Sequence, residues 1–200
     1  MVFASVMALR QTDLKLALAY TTLMALAALT LLLGNDSAYT ITAAATFLIV
    51  HSLYKAALFL VVGILDNQTG TRDVNKLFGL ASSMPITAGA AAIAALSMAG
   101  FPPFLGFIGK ELKYAGALAV ASEPILVAGS FLVASALMFA IAGIVSFRPF
   151  WSKSGAPLPN IKEAPWPMLV GPVILATLGA LFGIFPDLLA NSLVNPTVEA

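Results

Sequence analysis

The sequence predicts an all-α integral membrane protein, a bundle of about five transmembrane helices after an N-terminal helical stub, with one helix discontinuous around residues 100–109. Three observations predict it. Sixty per cent of the 200 residues are apolar and 10% are charged, with a mean hydropathy of +0.97; a soluble domain charges about a quarter of its residues. The apolar residues are gathered in runs long enough to cross a hydrocarbon layer of about 30 Å. Between those runs, the basic residues fall on one side if each run crosses once.

The elements follow in order. Residues 1–9 are apolar but lack the basic start of a signal peptide and stop at Arg10-Gln11-Thr12-Asp13. As a helix they cover roughly half of the hydrocarbon layer, so the expectation is the tail of a span that begins outside the chain. Residues 16–33 form the first full span, entered through the capping pair Thr12-Asp13 and closed by Gly34-Asn35-Asp36. Residues 38–65 form the second, long enough to cross with tilt. The third, residues 85–121, contains Gly100-Phe101-Pro102-Pro103-Phe104-Leu105-Gly106, and no continuous helix survives two prolines there. Residues 125–145 and 168–185 complete the set, the last ending at Pro186. Uniformly apolar runs of this length, without alternation, argue against a β-barrel.

Arg10, Lys15, Arg72, Lys76, Arg148, Lys153 and Lys162 then share one side, while the opposite loops carry Asp36, Glu123, Asp187 and Glu199 and no basic residue. The positive-inside rule places loops 10–15, 66–84 and 146–166 in the cytoplasm of a multi-pass cell-membrane protein. Trp151 and Trp166 suit the membrane interface. The chain reads as a single transmembrane domain over residues 1–200, with the lipid bilayer as its solvent.

Three lysines lie outside those loops: Lys55, Lys110 and Lys113. An ammonium at mid-span costs on the order of 3 kcal/mol on insertion scales, so such residues face a bundle interior, a wet cavity or a partner. His51 precedes Lys55 by four residues and shares its helix face, with Ser52 and Tyr54 nearby. An imidazole exchanges protons near neutrality, and the pair reads as two steps of a proton relay. The plainer alternative has His51 bonding a neighbouring helix and Lys55 reaching an interface. Against it, Lys55 stands about seventeen residues from one end of its span and ten from the other. Lys110 and Glu111 follow directly on the broken stretch, and broken helices persist at membrane depth where they line a wet cavity or are buried in protein. Lys110 falls near the start of a new half-helix, whose positive dipole end disfavours an ammonium. Its alternative is a simple kink, with Lys110, Glu111 and Lys113 pairing near an interface. Lys113 ranks below Lys110 as a candidate.

Other chemistries find no support. A net charge of +1 without a basic cluster gives no basis for a nucleic-acid partner. With no cysteine there is no thiolate metal site and no cysteine-ligated cluster, so redox chemistry would have to come from other subunits. One histidine is too few for a metal centre, and no nucleophile elbow is present, so no catalytic, cofactor or metal residue is assigned. Ala91, Ala92, Ala95 and Ala99 read as close helix packing.

Three stretches carry a resemblance to a known family. Thr12-Asp13-Leu14-Lys15-Leu16-Ala17-Leu18-Ala19-Tyr20-Thr21-Thr22, then His51-Ser52-Leu53-Tyr54-Lys55-Ala56-Ala57-Leu58-Phe59-Leu60, then Phe101-Pro102-Pro103-Phe104-Leu105-Gly106-Phe107-Ile108-Gly109-Lys110-Glu111 resemble successive motifs of the antiporter-like subunits. These occur in multisubunit Mrp Na+/H+ antiporters and in the membrane arm of respiratory complex I. Gly63-Ile64-Leu65-Asp66-Asn67-Gln68-Thr69-Gly70-Thr71-Arg72-Asp73 resembles the Mrp side of the family more than the complex I side.

The resemblance implies that Lys15 is the family lysine at a helix start, that His51 and Lys55 belong to a central hydrophilic axis, and that Lys110 is the lysine of the second discontinuous helix. Glu111 and Lys113 are accessory candidates beside it. Family members combine two inverted repeats, each a half-channel. This chain resembles the second repeat, roughly residues 1–145, plus following helices in 146–200. The first repeat and its Glu-Lys pair have no counterpart, which implies a fragment or split subunit that works with the missing half and with other antiporter subunits. The expected function is a proton half-channel that exchanges protons for sodium or another monovalent cation. A proton-pumping subunit of complex I or of a membrane-bound hydrogenase is the rival, and a non-transporting membrane scaffold is a third reading.

Overall fold

A computed structural model describes residues 1–35, 37–120, 123–153, 155 and 161–190. Asp36 and Glu199 of the acidic loops, residue 121 at the end of the third apolar segment, and residues 154 and 156–160 of the loop 146–166 lie outside them. The described residues are helical throughout, joined by short turns and one isolated antiparallel bridge between Asp13 and Asp73.

The stub is α1 (Val2–Leu9). Helix α2 (Leu14–Leu33) starts where the sequence places it, because the Asp13 carboxylate accepts from the amides of Lys15 at 2.8 Å and Leu16 at 3.2 Å. Helix α3 (Ala38–Thr69) exceeds the expected 38–65 by a turn. Its polar extension Asp66-Asn67-Gln68-Thr69 carries on as helix to Gly70, whose φ of 69° lets the chain turn left-handed. At 1.5 Å per residue α3 is about 48 Å long, well beyond the hydrocarbon layer.

The expected break is present. Helix α4 (Pro85–Ala99) ends at Gly100, with φ 74°, and Phe101 N–H returns to the Leu96 carbonyl at 3.0 Å; α5 (Leu105–Leu118) resumes after the prolines. Gly109 of α5 lies against Val50 and Gly116 against Ala43, so α5 runs on toward the start of α3 and the two half-helices make one discontinuous crossing. Gly106 sits directly on the Ser97 carbonyl of α4 and its amide donates to Ser97 Oγ at 3.2 Å. Only a glycine allows that approach of two backbones.

Helix α6 (Pro124–Ala142) does not stop at residue 145 as the sequence suggests. It passes through a π turn (Gly143–Phe147) into α7 (Arg148–Trp151). Pro149 has no amide for the Val145 carbonyl, and the wider turn relieves its ring without ending the helix. Helix α8 (Trp166–Ile184) and the short α9 (Pro186–Leu189) follow. Four helical runs, Leu14–Leu33, Ala38–Thr69, Pro124–Trp151 and Trp166–Ile184, are long and apolar enough to cross a membrane, and Pro85–Ala99 is a shorter apolar helix. With the broken crossing, the span count agrees with the five expected.

Helix α3 is the axis of the bundle, packed on α2, α4, α5 and α8. Helices α2, α6 and α8 expose Leu23, Leu126, Leu132, Phe139 and Ile174, the apolar surface that a bilayer would solvate. The three basic loops meet at one end. Arg72 pairs with Asp13 at 3.3 Å and Asp66 at 3.9 Å, Lys15 pairs with Asp66 at 3.7 Å, and Arg148 donates to Asn75 at 2.9 Å. Glu163 caps α4 from the same side, accepting from the amides of Ile86 at 2.7 Å and Thr87 at 3.3 Å and from the Thr87 hydroxyl at 2.6 Å.

Candidate functional site

The face of α3 that turns inward repeats at helical spacing: Phe47, His51, Tyr54 with Lys55, and Leu58. His51 is 7% exposed and Lys55 5%. His51 Nδ1 shares a 2.9 Å hydrogen bond with the Tyr54 hydroxyl, the donor depending on the tautomer. Nε2 of the same ring is buried without a hydrogen-bond partner. Ser52, on the opposite face, bonds its own helix at the Leu48 carbonyl.

Lys55 does not reach for an interface. It crosses to α2, where Nζ donates to the Leu18 carbonyl at 2.6 Å and to the Thr21 hydroxyl. The Thr21 hydroxyl itself donates to Leu18 O at 2.8 Å, so one turn of α2 supplies the whole polar seat of the amine. The Phe59 ring lies 5.6 Å from Nζ. An open groove of about 320 Å3 beyond that ring is lined by Lys15, Phe59 and Asn67 and faces the basic loops.

Lys110 corrects the dipole argument. It stands in the second turn of α5, and its amine reaches back to donate to the Ala99 carbonyl at the end of α4. An ammonium there meets the negative end of one half-helix, which stabilises it, and is not left at the positive end of the other. Gly100 leaves room for the Lys110 chain to pass: a Cβ at residue 100 would overlap Lys110 Cδ.

Lys113, placed below Lys110 as a candidate from the sequence, is the more deeply buried of the two. It is 2% exposed, more buried than His51, Lys55 or half-buried Lys110. Its amine lies 4.7 Å from the Phe47 ring, 5.4 Å from Phe131 and 5.9 Å from Tyr114, with Ser135 Oγ at 3.5 Å. Glu111 points the other way and is exposed. Lys15, whose side chain is also exposed, belongs to the ion-pair network at the loop end.

A small cavity of about 10 Å3, room for one water, joins these groups. Its polar lining is Tyr54, Ser97, Lys110, Lys113 and Ser135. From there a wider cleft of about 370 Å3, lined by Lys110, Tyr114 and Ser135, opens between α5 and α6. His51 lies within Coulombic reach of both Lys55 and Lys113, and Lys113 within reach of Lys110. Among the described residues none of the three lysines pairs with a carboxylate, and no group of three His, Asp or Glu side chains could hold a metal ion.

Thr21, Ser135 and the aromatic rings around Lys113 escape a reading of the sequence because they arrive from other helices or other turns. Lys113 leaves a signal. Gly106, Gly109, Gly116 and Ala117 form its buried stripe at spacings compatible with one helix face, so the lysine occupies the interior side of α5 and Glu111 the exterior one.

Residues 1–138 match the family model described as NADH:quinone oxidoreductase/Mrp antiporter, TM. The chain is 37% identical to the A subunit of the Na+/H+ antiporter of Alkalihalophilus pseudofirmus and to that of Bacillus subtilis, in each case over its whole length and over 28% of theirs. It therefore spans little more than a quarter of these curated relatives. Among solved structures it resembles the Mrp complex from Dietzia, with a TM-score of 0.83 and 31% identity over 95% of this chain and 21% of that one. Respiratory complex I from Thermus thermophilus gives 0.80 and 28% identity over 99% of this chain and 41% of that one. The residues that carry the motifs and the fold that holds them agree: the chain is a multi-pass membrane protein of the antiporter-like family shared by Mrp antiporters and NADH:quinone oxidoreductase, similar to part of the large Mrp antiporter protein.

Proposed function

We propose that this chain is the proton-translocating half-channel of a multisubunit monovalent cation (Na+)/proton antiporter of the cell membrane, acting with other antiporter subunits and a first-repeat half. One observation carries the reading: Lys55 and His51, both buried, and half-buried Lys110 follow one another through the bundle, the two amines seated on carbonyl and hydroxyl oxygens with no carboxylate to neutralise them. A structural ion pair would hold each charge in place. Amines seated on neutral oxygens keep their seats in either protonation state, which suits groups that take up and release a proton.

The route begins at the groove beside Lys15, on the end that the basic loops assign to the cytoplasm, and passes the Phe59 ring to Lys55. It continues through His51 and Tyr54 to the cavity, and leaves by Lys110 into the cleft between α5 and α6. A charge on His51 repels one on Lys55 or Lys113, and a charge on Lys113 repels one on Lys110, so a proton arriving at one member of such a pair favours release from the other.

A second reading, a proton-pumping subunit of a redox-driven complex, is favoured by the likeness to complex I and to the archaeal membrane-bound sulfane sulfur reductase, at a TM-score of 0.83 and 29% identity over 90% of this chain and 30% of that one. Proteoliposomes holding the purified complex separate the two. A sodium pulse that changes internal pH without any electron donor supports antiport, and proton movement only when a donor and acceptor turn over supports the pump.

A further inference from the structure

We propose that Lys113 is a proton carrier in its own right, the station between His51 and Lys110, held in a cage of Phe47, Tyr114 and Phe131 with the Ser135 hydroxyl. The inference rests on the half-channel reading above and adds a residue to it.

The cage is the first support. Three rings approach Nζ within 4.7–5.9 Å, and the Ser135 hydroxyl lies at 3.5 Å. An aromatic face attracts an ammonium through its quadrupole but accepts no proton from it. A carboxylate in the same place would hold the proton as a salt bridge. The groups that face Lys113 are His51 and Tyr54 of α3, Lys110 and Tyr114 of α5, and the hydroxyls of Ser97 on α4 and Ser135 on α6. Helix α8 has no charged residue and the only one in α2, Lys15, is at the loop end.

Position is the second support. Lys113 and Lys110 line the same cavity as Tyr54, so the Lys113 amine shares one water-sized space with the hydroxyl that His51 holds and with the amine that opens to the cleft. Lys113 thus adds a second base, beside Lys110, to the space that a proton leaving Tyr54 enters.

The transfer balances. Imidazolium His51 gives its Nδ1 proton to the Tyr54 oxygen while that hydroxyl releases its own proton to a cavity water, leaving neutral His51 with a proton on Nε2. The water protonates neutral Lys113. The Lys113 ammonium then returns one proton through the cavity to neutral Lys110, and Lys110 recovers its starting form by releasing a proton to water in the cleft.

The test uses the assembled complex in proteoliposomes, with sodium-driven internal pH change as readout. Lys113→Met should assemble to the wild-type level, since it removes a buried charge at nearly constant volume, and should slow exchange by about tenfold or more. Lys113→Arg, a fixed charge that does not release its proton, should be as slow as Lys113→Met, and Lys113→His, which restores a titratable group, should recover part of the rate. Exchange by Lys113→Met within about twofold of wild type overturns the proposal, as does a fully active Lys113→Arg. Should Lys113→Met fail to assemble, Ser135→Ala decides: slower exchange supports the carrier and an unchanged rate overturns it. Lys55→Ala and Lys110→Ala, run alongside, separate the levels. If they lose exchange while Lys113→Met keeps it, only this inference falls; if all three keep it, the half-channel reading falls too.

Discussion

Gly106→Ala is the perturbation with the most to lose. The added methyl would land on the Ser97 carbonyl, in backbone that cannot rotate away, and the amide of residue 106 would also lose its contact with Ser97 Oγ. Overpacking a tight interface costs about 1–3 kcal/mol, and a backbone obstacle belongs at the top of that range. Replacing glycine in a helix returns at most about 1 kcal/mol, so a net destabilisation of about 2 kcal/mol is expected. The functional loss should be larger. Relief requires α5 to part from α4, and Lys110, whose seat is the Ala99 carbonyl at the end of α4, is carried off with it. A misplacement of about 1 Å can slow a positioned reaction a hundredfold, so exchange should fall by about tenfold or more. The assay pairs thermal unfolding of the purified complex with sodium-driven pH change in proteoliposomes. Gly129→Ala in α6, where a Cβ meets nothing within 4 Å, is the control and should leave the rate unchanged and stability equal or up to about 1 kcal/mol higher. A Gly106→Ala protein that matches Gly129→Ala in stability and rate would refute the close-approach argument.

Glu163→Ala removes three hydrogen bonds from the start of α4 and should lower stability by about 1–2 kcal/mol, the usual range for losing a helix cap, as read by thermal unfolding; a shift indistinguishable from wild type would show that water replaces the cap. Tyr54→Phe leaves His51 without its partner on Nδ1, when Nε2 already has none, so it should cost about 1–3 kcal/mol and slow exchange. An unchanged exchange rate in Tyr54→Phe would take the tyrosine out of the route. Lys15→Ala should change stability by no more than about 1 kcal/mol, because the pair with Asp66 is exposed and at 3.7 Å; a larger drop in thermal unfolding would mean the network at the loop end acts as a unit.

How far such a site can be read in advance depends on what kind of contact makes it. The span count, the break at Pro102 and Pro103, and the cap at Asp13 are properties of adjacent residues, and they are legible because composition and local sterics dominate them. Helix ends are less so. Helix α3 overruns residue 65 because polar residues continue a helix as well as they leave it, and α6 runs through Pro149 because a π turn absorbs the ring. The burial of His51 and Lys55 follows from their place in a long apolar run. Their seats do not, since Leu18 and Thr21 come from another helix. The depth of Lys113 is legible only in the glycines that share its helix face and mark an inward side. The sequence puts Lys110 at the right break but beside the wrong half-helix end, because only the folded chain brings Ala99 under its amine.

The central claim is that buried amines in this chain carry the exchanged proton. Its most direct measurement is internal pH in proteoliposomes of the assembled complex after a sodium pulse, for wild type, Lys55→Ala and Lys110→Ala at matched protein content. The account predicts a prompt pH change in wild type, slowed by about tenfold or more in each variant. Equal rates in all three would contradict it, leaving these lysines as parts of a scaffold around a proton route that runs elsewhere.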